Sequence, residues 1–559
     1  MMEERLWHRE YMQGVPREVI FEDLTMPEYL SRTARRFPRR DALIFMGKRI
    51  SFSELDALAT TFAKSLKRIG VRPGDRVALL LPNVPQIVIA YYGIWRAGAA
   101  AVPCNPLYTE EEIVHQINLS GATAAVVLDL IVPRVMALKP KTPLKTIISA
   151  HISDYLPFPA KQLFPFVKKE MYRPDDRTDG SIPFLELMKD SAPGVTLESP
   201  KLDDLALIPY TGGTTGVSKG AIITHRNISC INQILGAWFF DLPDGQDSEL
   251  AIFPFFHMAG FNLVMNLSIY KGWTAILVPR PEPKAVMEMT LKYRPSIFLA
   301  VPTIYVGVMA LPEFKKADLS FIKGFFSGAA PLSVETIQAL RDATGASIVE
   351  GYGMTESTSI THMTPWRGKL KPGSVGIPLP NTDIRNVDLE TGSVDMPVGE
   401  SGEIVFKGPQ RCQGYYGMPE ETAQSMRDGW FYTGDIGRMD EDGFLYIVDR
   451  KKDMIIAGGY NIYPRDIDEV LYQHPKVLEA CTIGIPHDYR GETVKAYVVP
   501  RPGETVTAAE LDPFCRQKLA AYKVPKLVAF IDALPKSAVG KILRRELRDL
   551  DAKMQAGKS

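Results

Sequence analysis

The chain reads SFSELDALATTFAKSLKRIGVRPGDRVALLLP over residues 51–82, and this stretch joins a helix signal to a strand signal. Ser51 and Glu54 have the spacing of a capping box, and Gly70 suits the end of the helix. Between them, apolar residues recur at helical spacing, namely Leu55, Leu58, Phe62 and Leu66. The remainder, from residue 71, predicts a turn and a buried strand.

The same alternation continues outward from this stretch. Residues 84–98 predict another buried helix, and short apolar runs between 100 and 150 predict further strands. Helix and strand signals alternate again from 274 to 344, with no fixed repeat period. Alternating strands and helices are typical of a mostly parallel, doubly wound sheet, so we expect an α/β fold built from doubly wound subdomains.

The pattern changes after about residue 370. Short alternating strands with Gly or Asp turns predict a small β subdomain, with residues 441–443 as a hairpin turn. The charged run DRKKD at 449–453 interrupts the chain, and a compact α+β segment follows it. We therefore expect a large N-terminal domain over 1–448, a boundary at 449–452 and a small C-terminal domain over 453–559.

The composition excludes some classes of protein. Basic and acidic residues both number 65, so no global basic field indicates a nucleic acid partner. The five cysteines are scattered without a CxxC pair, which favours a reducing compartment. The charged N-terminus lacks the apolar core of a secretory signal, and Arg96 interrupts the apolar stretch at 87–103 before it reaches the ~20 residues needed to cross a bilayer. We expect a cytoplasmic protein.

The segment at 150–180 mixes aromatic residues, three prolines in its first half and lysines in its second half. A Pro-rich connector between two α/β units is the preferred interpretation. The alternative is an interfacial patch, with aromatic side chains at the level of lipid headgroups and lysines facing anionic lipid.

The stretch YTGGTTGVSKG at 210–220 has the composition of a phosphate-binding loop. Glycines let backbone N–H groups surround an anion, hydroxyls donate hydrogen bonds to it, and Lys219 adds a positive charge. It is not a Walker A loop, because Ser218 stands where that motif requires glycine directly before the lysine. A flexible surface linker is the alternative, but apolar runs on both sides make it the weaker one.

The motif GYGMTES at 351–357 adds nucleotide chemistry. Glycines flank Tyr352, whose ring can stack on a purine. Thr355 and Glu356 follow where a strand is expected to end, and a carboxylate there can hold Mg²⁺ beside phosphates.

Three further positions carry weaker signals. His257, in FFHMAGF, sits among apolar residues where a satisfied core histidine is the usual outcome. Asp435 ends YTGD after an expected tight turn, where it is either a turn aspartate or a ligand of both ribose hydroxyls. Lys541 opens the basic run KILRREL, and charge alone favours a solvated face for that run. Together these motifs predict a site for ATP and Mg²⁺ that has no kinase signature.

Six motifs occur in the order characteristic of adenylate-forming enzymes: YTGGTTGVSKG, FFHMAGF, GYGMTES, YTGD, DRKKDMIIAGGYNIYP and PKSAVGKI. The chain resembles the acyl-CoA synthetases of that superfamily and is most similar to bacterial long-chain fatty acid–CoA ligases. The resemblance implies that a fatty acid carboxylate attacks the α-phosphorus of ATP, giving acyl-adenylate and pyrophosphate, and that the CoA thiol then displaces AMP. ATP, Mg²⁺ and CoA are therefore expected.

The resemblance also assigns roles in the first half-reaction. Thr211 and Glu356 would lie at Mg²⁺, His257 near the acyl carboxylate, and Lys541 across the acyl and phosphate oxygens. Asp435 and Arg450 would contact the ribose. The nucleotide would further contact the phosphate loop and the adenine shelf, namely Thr211, Gly212, Gly213, Thr214, Thr215, Gly216, Lys219, Gly351, Tyr352, Gly353 and Thr355.

The remaining implied roles concern movement, CoA and the acyl chain. In the family the small domain rotates about its linker between the two steps, and Lys452, then Asp449, match the hinge. The loop Gly458, Gly459 and Tyr460 would face the thioester site. Small residues at Gly328 and Ala329 would leave an acyl tunnel open, and Phe261 would close it until ATP binds. The chain departs from close relatives at Ser359, where they usually carry proline.

Other functions remain open. A medium-chain or aryl acid–CoA ligase, or a luciferase-type enzyme, would use the same adenylate chemistry. A catalytically inactive ATP-binding regulatory protein is the alternative from another class, although Lys541, Glu356 and Asp435 argue against it. Peripheral membrane contact and a homodimer are partner expectations that the sequence leaves open.

Overall fold

The computed structural model describes residues 5–176, 178–189, 194–211, 218–328, 332, 334–457, 460–487, 489–537 and 540–556. The described chain forms two compact units. The large unit contains the described residues up to 211, from 218 to 383 and from 407 to 429. The small unit contains those from 384 to 406 and from 430 to 556.

The strands are β1 (Asp41–Phe45), β2 (Lys48–Ser51), β3 (Arg76–Leu80), β4 (Ala100–Pro103), β5 (Ala124–Leu128), β6 (Thr146–Ala150), β7 (Ile182–Pro183), β8 (Leu205–Leu207), β9 (Ile223–Thr224), β10 (Ser248–Ala251), β11 (Thr274–Leu277), β12 (Ile297–Ala300), β13 (Gly324–Ser327), β14 (Ser347–Tyr352), β15 (His362–Met363), β16 (Ile377–Pro378), β17 (Asp383–Val387), β18 (Gly402–Lys407), β19 (Met426–Arg427), β20 (Trp430–Met439), β21 (Leu445–Arg450), β22 (Ile455–Ala457), β23 (Tyr460–Ile462), β24 (Val477–His487), β25 (Gly491–Pro500) and β26 (Leu527–Phe530).

The α-helices are α1 (Met26–Arg36), α2 (Phe52–Arg68), α3 (Pro85–Arg96), α4 (Glu110–Ser120), α5 (Val132–Leu138), α6 (Ala160–Val167), α7 (Phe184–Lys189), α8 (His225–Trp238), α9 (Leu267–Lys271), α10 (Pro283–Tyr293), α11 (Pro302–Met309), α12 (Val334–Thr344), α13 (Pro419–Ser425), α14 (Pro464–Tyr472), α15 (Ala508–Arg516) and α16 (Arg544–Ala556). In this described part of the chain, no helix combines the length and the apolar character needed to cross a membrane.

Helix α2 forms as its sequence predicts. The Ser51 side chain accepts a hydrogen bond from the Glu54 backbone N–H at 3.2 Å, so the helix begins at its expected cap. Three of the four apolar residues at helical spacing, Leu55, Phe62 and Leu66, are fully buried. Gly70 ends the segment with a φ of +95°, a value that favours glycine.

Two sheets organise the large unit. One has the order β16-β15-β14-β13-β12-β10-β11-β1-β2, and its central strands from β14 to β1 are parallel. The other has the order β7-β6-β5-β3-β4-β8-β9 and is parallel except for the β8–β9 pair. The predicted α/β fold of mostly parallel sheets is confirmed.

The small unit contains antiparallel strands and the last three helices. Strand β20 pairs with β18 on one side and β21 on the other, and the predicted turn at 441–443 joins β20 to β21. A second sheet has the order β23-β22-β25-β24, with β26 parallel to β25. Residues 449–452 lie inside this unit, because it also includes strands upstream of them. The hinge at 449–452 stays a prediction.

Two sequence interpretations were wrong. Asp435 does not follow a tight turn but lies within β20, where residues 433–435 bulge opposite β18 and Gly434 has a φ of +70°. The basic run KILRREL is not a wholly solvated face, because its Arg544 forms an ion pair with the buried Asp468 carboxylate, while Arg545 is exposed. Arg548, directly after the run, pairs with the buried Asp453 carboxylate.

Candidate active site

Three predicted motifs meet at one edge of the larger sheet. His257 follows β10, Gly328 follows β13, and the segment from Gly351 to Glu356 completes β14 and continues beyond it. Ser327 at the end of β13 pairs with Glu350 of β14, and the intervening strands are parallel. The carboxyl ends of parallel strands lie at one edge, where open α/β sheets bind their ligands.

The base of the glycine-rich loop is a short antiparallel pair. Tyr210 pairs with Gly220, and the Thr211 backbone N–H donates to the Lys219 carbonyl at 2.9 Å. The Ser218 hydroxyl donates to the Thr211 carbonyl at 2.5 Å. These bonds hold Thr211 and Lys219 side by side. The other predicted loop residues, Gly212, Gly213, Thr214, Thr215 and Gly216, lie outside the described residues.

Lys219 and Glu356 are brought together through Tyr415, a residue that no sequence signal marked. The Tyr415 hydroxyl donates to Glu356 Oε1 at 2.7 Å, and Glu356 is buried. Burial, and secondarily the Glu356 charge, raises the pKa of Tyr415 well above its usual value. The Lys219 ammonium lies 5.1 Å from the centroid of the Tyr415 ring and forms an ion pair with Glu421. A cation and a buried carboxylate thus share one site.

The donor set here fits Mg²⁺. Glu356 offers carboxylate oxygen and Thr211 a hydroxyl, which are oxygen ligands of the kind that this ion prefers. Among the residues that the structure describes, no group of three or more His, Cys, Asp or Glu side chains is arranged to hold a metal ion.

Tyr352 lies at the end of β14 between two closely packed glycines. A Cβ at Gly353 would lie 2.2 Å from the Ser359 carbonyl oxygen, so only glycine fits there. The Tyr352 ring lies 5.7 Å from the ring of His362, centroid to centroid. Burial lowers the pKa of His362 to about 3, so this neighbour is neutral. Ser359 has a φ of +124°, which the proline ring forbids, so the departure from the family pattern changes the backbone here.

The segment after β10 contains a π-helix over Gly260–Asn266, which the sequence did not predict. Phe261 is buried, and its ring packs edge to face on Tyr91 and Trp95, with centroids 5.0 and 5.8 Å away. The next residue, Asn262, donates from Nδ2 to the Thr358 carbonyl at 2.5 Å. The π-helix that follows His257 is therefore tied directly to the turn that carries Glu356.

Gly328 borders open space in the described part of the chain, where a Cβ built on it would meet no atom within 4 Å apart from its chain neighbours. Beside it, the buried Ser327 hydroxyl has no hydrogen-bond partner within the described chain. An open position next to an unsatisfied polar group is suited to a bound substrate. Ala329, the second predicted acyl residue, lies outside the described residues.

The small unit gathers a second set of predicted residues. Asp435 and Arg450 face each other across β20 and β21, with Asp435 Oδ1 3.2 Å from Arg450 Nε. Lys541 is half-buried close enough for their charges to act on it. Burial, and then the positive charge of Arg450, lowers the pKa of Lys541 to about 8, while Asp435 opposes the shift. The ribose and lysine assignments therefore converge on one cluster.

The two predicted hinge residues have different environments. Burial, and then Arg450, lowers the pKa of Lys452 to about 8. Asp449 is buried and accepts backbone N–H bonds from Arg450 at 2.7 Å and Arg465 at 2.9 Å. Asp449 thus joins the end of β21 to the start of α14. Its burial raises the pKa of its carboxyl group.

Tyr460 is 54% exposed, and its ring stacks on Tyr522 with centroids 4.5 Å apart and planes 16° apart. Its neighbours in the predicted thioester-side loop, Gly458 and Gly459, lie outside the described residues.

Comparison with known proteins identifies the family. A model described as AMP-binding enzyme matches residues 30–416, and one described as AMP-binding enzyme C-terminal domain matches residues 466–541. The chain belongs to the AMP-binding enzyme family. It is an adenylate-forming acid–thiol ligase of the acyl-CoA synthetase class, which uses ATP, Mg²⁺ and CoA, as the sequence predicted.

The relatives match over nearly their full length. The chain is 44% identical over 551 residues to a long-chain-fatty-acid–CoA ligase of Bacillus subtilis (strain 168), covering 98% of each. It is 36% identical over 522 residues to a feruloyl-CoA synthase of an Amycolatopsis species, covering 92% of this chain and 97% of the relative.

Two solved structures support the fold. ATP-bound MatB from Rhodopseudomonas palustris matches with a TM-score of 0.82 at 30% identity, covering 94% of this chain and 99% of MatB. The anthranilate CoA ligase AuaEII in complex with anthranoyl-AMP matches with a TM-score of 0.84 at 26% identity, covering 96% and 98%.

Proposed function

We propose that this protein activates long-chain fatty acids as acyl-adenylates at the expense of ATP and transfers the acyl group to CoA, releasing AMP and pyrophosphate. The observation that carries the choice of acid is the full-length similarity to proteins named long-chain-fatty-acid–CoA ligase, at 44% identity in B. subtilis and 38% in Yersinia pestis. A carboxylate is a poor electrophile, and conversion to a mixed anhydride with AMP supplies a good leaving group.

In the first half-reaction, Thr211 and Glu356 hold Mg²⁺, and the ion neutralises phosphate charge when bound. Lys219 and the glycine-rich loop contact the β- and γ-phosphates. The support for this is the contact between the Lys219 ammonium, the Tyr415 ring and the buried Glu356 carboxylate. The Tyr415 hydrogen bond fixes Glu356 Oε1, and it therefore also restricts where the second carboxylate oxygen can lie.

We assign Tyr352 to the adenine, and Asp435 with Arg450 to the ribose. Asp435 accepts from the ribose hydroxyls, while Arg450 keeps its carboxylate charged and oriented. Lys541 stabilises the charge that develops on the acyl and phosphate oxygens during attack. His257 lies near the reacting carboxylate.

The second half-reaction needs different groups around the same intermediate. We propose that the segment after 452 rotates at Asp449 and Lys452, which removes Lys541 and brings the loop of Gly458, Gly459 and Tyr460 to the thioester site. The exposed Tyr460–Tyr522 stack supports this assignment, because it offers an aromatic surface to a ligand.

The acyl chain passes Gly328 and Ala329, and Phe261 closes the tunnel until ATP binds. Open space at Gly328 supports the first part. The bond from Asn262 to the Thr358 carbonyl supports the second, since it links the Phe261 backbone to the ATP-site turn. A Phe261→Ala variant is expected to bind fatty acid equally well with and without ATP, whereas the native protein binds it better with ATP.

An aryl acid is the second candidate substrate, because the chain resembles a feruloyl-CoA synthase over 92% of its length. Pyrophosphate release in the presence of CoA, measured from octanoate to arachidate and with ferulate, separates the two. We expect a higher kcat/KM for long-chain fatty acids, saturated or unsaturated, than for octanoate or ferulate. A preference for ferulate would overturn the long-chain assignment and retain the ligase.

We also propose a cytoplasmic location with contact at a membrane surface. All five cysteines are buried without a disulfide, which suits a reducing compartment. Long-chain fatty acids dissolve in bilayers, so an enzyme that consumes them gains access to its substrate there.

A further inference from the structure

The connection between β6 and β7 contains a helix whose apolar face points outward, whereas an ordinary surface helix turns its apolar face towards the core. Helix α6 buries Phe164, which is only 5% exposed, and turns Leu163, Phe166 and Val167 outward at 52%, 73% and 69% exposure. These three side chains have i, i+3, i+4 spacing and therefore share one face. Phe158, just before the helix, is 84% exposed. We call residues 157–171 the docking segment.

A buried polar network pins both ends of this segment to the large unit. His151 lies before it and Arg173 after it, and the His151 ring bonds to the Arg173 carbonyl at 2.9 Å. The Arg173 backbone N–H donates to Asp129 at 2.7 Å, and the Asp154 carboxylate accepts the His151 backbone N–H at 3.0 Å. Asp129 and His151 are buried. These hydrogen bonds anchor both ends of the docking segment, and the apolar side chains between them are exposed.

The charges around the apolar face select its partner. Lys168 and Lys169 follow the face and are exposed, whereas the Lys161 ammonium donates to the Asp154 carbonyl at 3.1 Å. Against one carboxylate, Glu170, these three lysines give the docking segment a net positive charge. Exposed apolar side chains flanked by lysines match the interface of an anionic bilayer. A stable protein partner is a poorer match, because a specific interface uses roughly 20–30 residues on each side and this face offers four apolar side chains.

We propose that the docking segment inserts Phe158, Leu163, Phe166 and Val167 into an anionic lipid surface while Lys168 and Lys169 contact the headgroups. The proposal rests on the proposed function, because membrane contact benefits an enzyme whose fatty acid substrate is dissolved in the bilayer. It replaces the interpretation of residues 150–180 as a plain connector.

The test is co-sedimentation of the full chain with vesicles of phosphatidylcholine alone or with about one-third phosphatidylglycerol. We expect binding to the anionic vesicles that weakens with salt. The pair Leu163→Ser and Phe166→Ser should lower the partition coefficient at least tenfold, whereas Val394→Ser with Val398→Ser, equally exposed elsewhere, should leave it unchanged. Lys168→Glu with Lys169→Glu should lower it about tenfold or more, against exposed Lys315→Glu with Lys316→Glu as the control.

Two results would overturn the proposal: absence of binding by the native chain, or equal losses in the test and control pairs. If Leu163→Ser with Phe166→Ser instead converts a dimer to a monomer in sedimentation velocity without changing vesicle binding, the face is a contact between copies. Fatty acid-dependent exchange of pyrophosphate into ATP, measured without vesicles, keeps the two proposals separate. Exchange without vesicle binding would refute only the docking proposal, and absence of exchange would refute the proposed function.

Discussion

The chemistry of Lys541 depends strongly on its surroundings. Its half-buried position and the nearby charges of Arg450 and Lys452 favour the neutral amine, which lowers its pKa to about 8. Asp435 and Asp453 oppose this shift. A lysine that stabilises negative charge must carry its proton, so this site operates near the upper limit of its useful pH range.

The pH dependence of acyl-adenylate formation follows from this value. With a pKa of about 8, the protonated fraction of Lys541 falls roughly tenfold between pH 7 and pH 9. The rate of the first half-reaction, measured in single turnovers without CoA at ATP concentrations well below saturation, should fall by the same factor, because such rates report the ionisation of the free enzyme. Thioester formation from supplied acyl-adenylate should not fall, because it does not use this lysine. A first half-reaction that stays constant up to pH 9 would contradict the assignment.

Removal of the lysine gives a second test. Lys541→Ala should slow acyl-adenylate formation by roughly a hundredfold or more, the order seen when one charge-stabilising donor is lost. The same variant should convert supplied acyl-adenylate and CoA to acyl-CoA within a few-fold of the native rate. Lys536→Ala, in the same segment but paired with Glu479 on the surface, is the control and should leave both rates intact. Equal loss of both half-reactions in Lys541→Ala would refute a role confined to the first.

Glu356 and Tyr415 form the next testable pair. Glu356→Gln removes the proposed carboxylate ligand, so the Mg²⁺ concentration for half-maximal pyrophosphate exchange should rise at least tenfold. Tyr415→Phe keeps the charge but removes the 2.7 Å hydrogen bond, which corresponds to about 1.5–3 kcal/mol for a bond to a charged group. Its effect on Mg²⁺ should have the same direction and be smaller. An unchanged Mg²⁺ requirement in Glu356→Gln would exclude Glu356 as a ligand.

Helix α16 is held to the rest of the small unit by ion pairs between partly exposed arginines and buried carboxylates. Arg544 Nη2 lies 2.6 Å from Asp468 Oδ2, and Arg548 Nη2 lies 2.9 Å from Asp453 Oδ1. Burial raises the pKa of Asp468 to about 6, although Arg544 opposes that shift. The helix begins three residues after Lys541, so these pairs also constrain the position of Lys541.

Arg544→Ala should destabilise the small unit by about 2 kcal/mol near pH 7.5, because Asp468 loses its partner and must either stay charged or take up a proton, at about 1.4 kcal/mol for each pH unit above its folded pKa of about 6. Since the folded pKa of Asp468 exceeds its unfolded value, the protein releases this proton at higher pH when folded. The loss should therefore grow as the pH rises above about 6 and be smallest below it. Urea unfolding at pH 7.5 and pH 5 measures it, with the exposed Arg545→Ala as control. A loss independent of pH would contradict the ion-pair explanation.

Local signals predicted most elements, and distant contacts explain the failures. The α2 capping box and the turn at 441–443 depend on residues a few positions apart, so they could be recognised. Arg544 and its partner Asp468 are 76 positions apart, and Tyr415 and Glu356 are 59 apart. No local pattern could reveal either contact. Gly434 indicated a turn because glycine readily adopts the positive φ of turns. The structure places it in a β-bulge instead, since the residues on both sides of it belong to β20.

The same division applies to the site. The phosphate loop, Tyr352 and Glu356 could be predicted because several chemically meaningful residues stand within one short motif. Asn262 could not, because its amide bonds to the Thr358 carbonyl from a helix 96 positions earlier in the chain. The sequence left an interfacial patch at 150–180 only as the alternative, since sequence spacing shows which residues share a face but not which way that face points.

The molecule as a whole must present two different sets of groups to one intermediate. If residues 449–452 form the hinge, Lys452→Pro should restrict backbone rotation there. Pyrophosphate exchange should stay within about fivefold of native, while acyl-CoA formation from supplied acyl-adenylate should fall by more than a hundredfold. Lys452→Ala removes the same side chain and keeps the backbone free, so both rates should change little. Native thioester formation by Lys452→Pro would place the hinge elsewhere.

The central claim is that a carboxylic acid attacks ATP in this protein before CoA is involved. Incubation of the native chain with ATP, Mg²⁺, labelled pyrophosphate and a long-chain fatty acid, without CoA, tests it most directly. We predict label in ATP that requires both the fatty acid and Mg²⁺ and that disappears in Lys541→Ala. Label that never enters ATP, or that enters equally without fatty acid, would contradict the account.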